Sequence, residues 1–193
     1  MDNNDITQRL KGLKGIVYFV IILLGIHFFW KFTVKGDDAD VRVTWLGFDV
    51  SAPFIAAADH VTSTTIAVLG LVDTAPERLP DNVLLFESGH RLRIVWSCTG
   101  IKQAVILLFI LLFSRGAWQH KLWYIPSALV LVWLFNIFRI SSISAAYGRD
   151  PSSFVFLHEH LFKYMFYTFI FFIWVLWDVQ FSSRNRPSTS KKI

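Results

Sequence analysis

The chain has 193 residues, 54% of them hydrophobic, with 19 Phe, 8 Trp and a formal net charge of +5. A soluble domain of this size has too much surface for its volume to hide so much apolar side chain, so lipid must be part of the solvent. No lysine/arginine stripe interleaved with exposed aromatics runs along the chain, which sets nucleic acid aside, and a single cysteine excludes an intramolecular disulfide and any multi-cysteine metal site.

Four apolar runs are long enough for a helix to cross a hydrocarbon core, which takes about 20 residues. The first, Gly15–Val34, follows Arg9, Lys11 and Lys14 and ends in bulky residues, His27-Phe-Phe-Trp-Lys-Phe-Thr33. That end lacks the small residues of a cleavage site, so the run reads as an uncleaved signal anchor. The segment Lys35–Ile94 comes next. Val41–Val50 alternates and predicts a short strand. Ser51–Val72 is moderately apolar but carries Asp59, His60 and Thr62-Ser-Thr-Thr65. It predicts an interfacial helix, with a fifth span as the alternative. Val83–Trp96 reads as two short strands around Ser88-Gly89, a hairpin that delivers the chain to Cys98. The second run is Val95–Phe113. The third is Leu122–Ile140, with Pro126 in its first turns, where a missing N–H is tolerated. The fourth is Leu161–Trp177, with Lys163 placed to snorkel.

The predicted architecture is an all-α membrane protein. About four transmembrane helices accompany an extracytoplasmic segment that holds an interfacial helix and a short β-hairpin. Residues 1–182 form a single integral membrane domain. Residues 183–193, rich in Ser, Lys and Arg, read as a disordered basic tail. Positive charge sets the sidedness. Arg9, Lys11 and Lys14, then Arg115 and Lys121, then Arg184, Arg186, Lys191 and Lys192 all fall on the cytoplasmic side if four spans leave both termini inside. Residues 35–94 and 141–160 are then outside.

This topology gathers three reactive side chains at the outer face. Cys98 starts the second span, Arg139 ends the third, and His158 precedes the fourth. A cysteine beside a span is ordinarily a small packed hydrophobe. Here Gly100 permits close backbone approach, while Ser97, Thr99 and the first helical amides offer donors around the sulfur. A helix N-terminus favours thiolate. Arg139 at a span end would ordinarily be an interfacial anchor. On the outer side it runs against the charge bias, which calls for a reason, one being pairing with an anion. Asn136 lies three residues earlier on the same helix face. His158, Glu159 and His160 form the third cluster. Positions i and i+2 diverge on a helix and no third ligand is suitably spaced, so no metal site is expected. Either histidine can serve as a base beside the thiol.

Three motifs in order, Cys98-Thr99-Gly100-Ile101, Asn136-Ile-Phe-Arg139-Ile140 and His158-Glu159, resemble those of the exosortase/archaeosortase family. The resemblance covers roughly Arg93 to Tyr167, and the chain looks like a compact subtype. It implies a cysteine protease and transpeptidase in the cytoplasmic membrane of a prokaryote, multi-pass, with its active site outside and no cofactor. Its partners would be exported proteins whose C-terminal sorting signal comprises a short motif, a hydrophobic span and a basic tail. By the same resemblance Cys98 attacks the scissile carbonyl to form a thioester, His158 manages protons, and Arg139 stabilises the thiolate or the oxyanion. Asn136, Ser97, Thr99, Gly100, Glu159 and His160 are supporting candidates. The competing expectation is a non-catalytic scaffold or assembly factor for protein export or surface-polymer assembly, in which the same three residues only pack and anchor. That reading predicts tolerance of Cys98→Ala.

Overall fold

The computed structural model describes residues 3–37 and 42–182, with side chains over 15–37 and 42–181. The tail expected at 183–193 and the side chains of Arg9, Lys11 and Lys14 lie outside these ranges.

Helix α1 (Asn3–Thr33) leads into a three-stranded antiparallel sheet of β1 (Val34–Asp37), β2 (Arg42–Trp45) and β3 (Phe48–Asp49). The strand expected over 41–50 is thus two strands, β2 and β3, joined at Leu46-Gly47. The Asp49 carboxylate accepts the backbone N–H of Ser51 at 2.9 Å and its hydroxyl at 2.6 Å. These bonds, the hydroxyl's first, hold the Asp49 carboxyl below its usual 3.8 and start helix α2 (Ser51–Gly70).

A second antiparallel sheet follows, with β4 (Glu77–Leu79), β5 (Val83–Leu85) and β6 (Arg91–Arg93) in that order. Strands β5 and β6 are the expected hairpin, in register Leu84↔Leu92. Arg78 ties the added strand β4 to α2 through Asp59 and through Ser63 at 2.8 Å. The chain continues through α3 (Ile101–Phe113), α4 (Trp118–Arg149) and the short α5 (Ser153–Val155). A wide-turned π-helical stretch, Phe156–Leu161, then leads into α6 (Phe162–Trp177).

Four helices are long and apolar enough to cross a membrane: Gly15–Thr33, Ser51–Gly70, Trp118–Arg149 and Ser153–Phe181. The number agrees with expectation, but the membership differs in one place. The run 95–113 gives a helix of only 13 residues, because Trp96–Cys98 is a 3-10 turn and Gly100 takes a left-handed φ of +78°. The 20-residue α2, expected at the interface, is the helix that meets the length and hydropathy of a span.

Packing separates these helices differently from composition. One core joins Phe19 of α1, Ile106, Leu107, Ile110 and Leu111 of α3, Ala128 and Val132 of α4, and Phe166, Ile170, Trp174 and Trp177 of α6. These are the four runs read as spans from sequence. A second core joins Val61 of α2 to Leu84 and Phe86, to Ile94, and to Ile137 and Ile140 of α4. Helix α4 serves both. Its 32 residues extend about 48 Å, against a hydrocarbon core of about 30 Å. Its first half lies in the bundle, and its second half carries α2 and the second sheet.

Both ends of the bundle are fixed by side-chain donors to backbone carbonyls. At the loop between α3 and α4, the buried Lys121 ammonium donates to the carbonyls of Leu112 and Ser114, both at 2.7 Å. These are orphan carbonyls at the end of α3, so the cation completes the helix terminus. Trp177 Nε1–H donates to the Arg115 carbonyl at 3.0 Å, and the Tyr18 hydroxyl to that of Phe113 at 3.1 Å. At the other end the second sheet docks on α4. Tyr147 donates to the Arg91 carbonyl, and Ser88 to the Gly148 carbonyl at 2.8 Å. From Lys121 to Asn136 the helix rises about 22 Å, so the motif residues lie most of a bilayer core away from the basic loop.

Candidate active site

Cys98 closes the 3-10 turn Trp96–Cys98, and its own N–H donates to the Val95 carbonyl at 2.9 Å. The Thr99 hydroxyl donates to the Trp96 carbonyl at 2.8 Å. Thr99 therefore shapes the turn. Gly100 then reverses the chain into α3. A Cβ on Gly100 would lie 2.9 Å from Cγ of Asn136, so the positive φ and the close approach both demand glycine. Asn136 uses that proximity: its Nδ2–H donates to the Cys98 carbonyl at 3.0 Å. Since Asn136 is wholly buried, the turn that bears the thiol is clamped to the middle of α4.

Arg139 lies one helical turn beyond Asn136 on the same face, as expected from the spacing, and is only 7% exposed. The ordinary role of an interfacial anchor does not fit such burial. Its Nε–H has no hydrogen-bond partner, and it forms no ion pair among the described residues. It lies in electrostatic range of two potential anions, Cys98 and Glu159. A buried Nε–H without an acceptor is costly unless an anion arrives to use it. Negative charge forming at or beside the Cys98 sulfur is well placed to do so.

The wide-turned segment Phe156–Leu161 presents the third motif. His158 Nδ1 bonds Oε1 of Glu159 at 3.1 Å, and its ring stacks on Phe154 with centroids 5.1 Å apart and planes at 10°. Phe154 in turn meets Tyr147 of α4 edge-on at 5.7 Å. His158 is thus positioned from the second half of α4. With Nδ1 held by the carboxylate, Nε2 is the nitrogen left for proton transfer. His160 diverges as expected. It is exposed and lines an apolar groove with Phe135, Tyr164 and Phe172.

Cys98, Gly100 and Asn136 therefore meet directly, and Arg139, one turn along the same helix face, lies within electrostatic range of Cys98. Glu159 joins them through the field of Arg139, and His158 joins through Glu159. Ser97 is exposed and faces a separate cleft with Trp30, Lys31 and Lys102. Two residues that fix the site were not singled out from sequence, Phe154 and Tyr147. The signal was there for Phe154, which stands four residues before His158, the spacing that stacks side chains on a helix. Among the described residues, no group of three His, Cys, Asp or Glu side chains converges to hold a metal.

Fold and site define a multi-pass membrane protein whose bundle clamps a cysteine turn within electrostatic range of a buried arginine. The family model of transmembrane exosortases (Exosortase_EpsH) matches residues 16–177, reaching well beyond the three motifs into α1. The chain belongs to that family. Neither the curated proteins nor the solved structures contain a match.

Proposed function

We propose that the protein is a membrane-embedded cysteine peptidase or transpeptidase, with Cys98 as nucleophile, Arg139 as oxyanion partner and His158 as proton carrier. Its substrates are exported proteins with a C-terminal short motif, hydrophobic span and basic tail. Membership of the exosortase family supports this class of activity. The observation that carries the assignment of residues is Arg139: a buried arginine whose Nε–H has no partner, within electrostatic range of the only thiol in the chain.

The Cys98 thiolate attacks the scissile carbonyl carbon. A C–S bond forms and the carbonyl π pair moves onto oxygen, where the guanidinium offsets the charge. Collapse of this intermediate breaks the C–N bond. The leaving amine takes a proton from His158, whose imidazolium the Glu159 carboxylate steadies. The resulting thioester is resolved by water, an amine or a hydroxyl, which returns its proton to His158 and the thiolate to the enzyme.

The membrane is the cytoplasmic membrane of a prokaryote, with the site at its outer face. This placement rests on the basic loop at Arg115 and Lys121, about 22 Å along α4 from the motif residues. The test is co-expression with an exported protein bearing such a C-terminal signal. Cys98→Ala and Cys98→Ser should leave the substrate uncut while the protein remains inserted, and a membrane-impermeant maleimide should label Cys98 in intact cells. Wild-type processing by the alanine variant would favour the scaffold reading, and labelling only after permeabilisation would reverse the sidedness.

A further inference from the structure

Outside the Cys98–Arg139 site, the same end of the bundle gathers three lysines from three helices: Lys31 in the last turn of α1, Lys102 in the first turn of α3, and Lys163 at the start of α6. Lys102 lies in electrostatic range of both others, and His27 of all three. None of the three lysines has an ion pair or hydrogen bond among the described residues. Lys102 is half-buried and stands at a helix N-terminus, where the backbone dipole already presents positive charge. The charged groups in range of Lys102 and of His27 are all cations. An anion between Lys31 and Lys102 would offset that repulsion.

The geometry supplies a place for that charge. A cleft of about 240 Å³ opens between α1 and the cysteine turn, lined by Trp30, Lys31, Trp96, Ser97, Thr99 and Lys102. It is smaller than a drug-sized site and has room for a phosphate group. Two tryptophans flank two ammonium groups, the pairing found where protein meets lipid headgroups.

We propose that this cleft binds a phosphate anion, carried by an anionic phospholipid headgroup or present as free phosphate, with Lys31 and Lys102 as its ligands and Lys163 adding to the field. The anion sits against Ser97 and Thr99, the two neighbours of Cys98, and braces the turn. Binding needs no thiol chemistry, so Cys98→Ala binds as the wild type does, and the inference stands apart from the proposed activity.

The test uses the full-length protein in phosphatidylcholine nanodiscs containing a minor fraction of phosphatidylglycerol. Native mass spectrometry reads the retained lipid. Separate titrations with dioctanoyl phosphatidylglycerol and with inorganic phosphate, followed by tryptophan emission, give the affinities. Each lysine removed should weaken binding about fivefold, so Lys31→Gln/Lys102→Gln should lose about 25-fold. Arg149→Gln, an exposed basic residue at the far end of α4, should lose nothing. Retained phosphatidylglycerol that disappears in the double variant identifies the headgroup as the source. Lysine-dependent binding of inorganic phosphate without lipid preference identifies the free ion. If the double variant fails to fold, Lys31→Gln alone, at the exposed rim, carries the fivefold test. Binding that is indifferent to the lysines, or absent for both probes, overturns the proposal.

Discussion

Replacing Gly100 with alanine probes how the thiol turn is held. The new methyl group would enter at a φ of +78° and lie 2.9 Å from Cγ of Asn136. The left-handed conformation costs a non-glycine residue about 1 kcal/mol. Reaching an ordinary contact of 3.4 Å requires Asn136 or the turn to give by 0.5 Å (3.4 − 2.9). Asn136 is fully buried and its amide reaches the Cys98 carbonyl at 3.0 Å, so this shift spoils a hydrogen bond worth about 1 kcal/mol. The expected total is about 2–4 kcal/mol, read as a lower unfolding midpoint in detergent. Processing should fall about tenfold as the sulfur is displaced. A double-mutant cycle isolates the mechanism. In an Asn136→Ala background the hydrogen bond and the 2.9 Å contact with Cγ are gone and only the 3.2 Å contact with the Cβ of residue 136 remains, so Gly100→Ala should cost little beyond the backbone part, about 1 kcal/mol. Equal costs in both backgrounds would refute the claim that Gly100 acts through Asn136.

Three further outcomes are expected. Arg139→Lys should lower processing by about 10²–10³ with little change in melting temperature, because an ammonium lacks the planar fork; a wild-type rate would remove Arg139 from the mechanism. His158→Ala should lower processing by about 10² or more, while His160→Ala, which changes a groove-lining exposed side chain, should be mild; the reverse order would make His160 the proton carrier. Lys121→Met should destabilise by about 2–3 kcal/mol, because the carbonyls of Leu112 and Ser114 lose their donor, without touching the site; an unchanged melting temperature would contradict that role.

The sequence was most legible where one physical rule dominated. Apolar length placed the four segments that share the bundle core, and the spacing of Asn136 and Arg139 put both on one buried face. The Ser88-Gly89 signal located the β5–β6 hairpin. It was least legible where tertiary contacts override local cues. The third apolar run stops at Ile140, yet α4 continues to Arg149 with Ser141, Ile143 and Ser144 buried along its second half. The polar residues of α2 suggested an interface, but Thr62 satisfies its hydroxyl on the Ala58 carbonyl at 2.7 Å within the helix. Helix α3 starts late because Gly100 must adopt a left-handed φ against Asn136, a constraint imposed from 36 positions away. Nor does a sequence show that the Arg139 guanidinium is buried without a partner, since that depends on what four helices and two sheets leave uncovered.

The most direct measurement of the central claim is capture of the acyl-enzyme. Purified protein and a substrate carrying the C-terminal signal would be mixed, quenched in acid over a time course and weighed intact. Cys98 is the only thiol in the chain, so any hydroxylamine-labile adduct maps to it without further assignment. With Cys98 as nucleophile, an adduct equal in mass to the substrate portion upstream of the cut should appear before product and be absent from Cys98→Ala. Product that accumulates at the wild-type rate with no adduct, and equally with Cys98→Ala, would contradict that role.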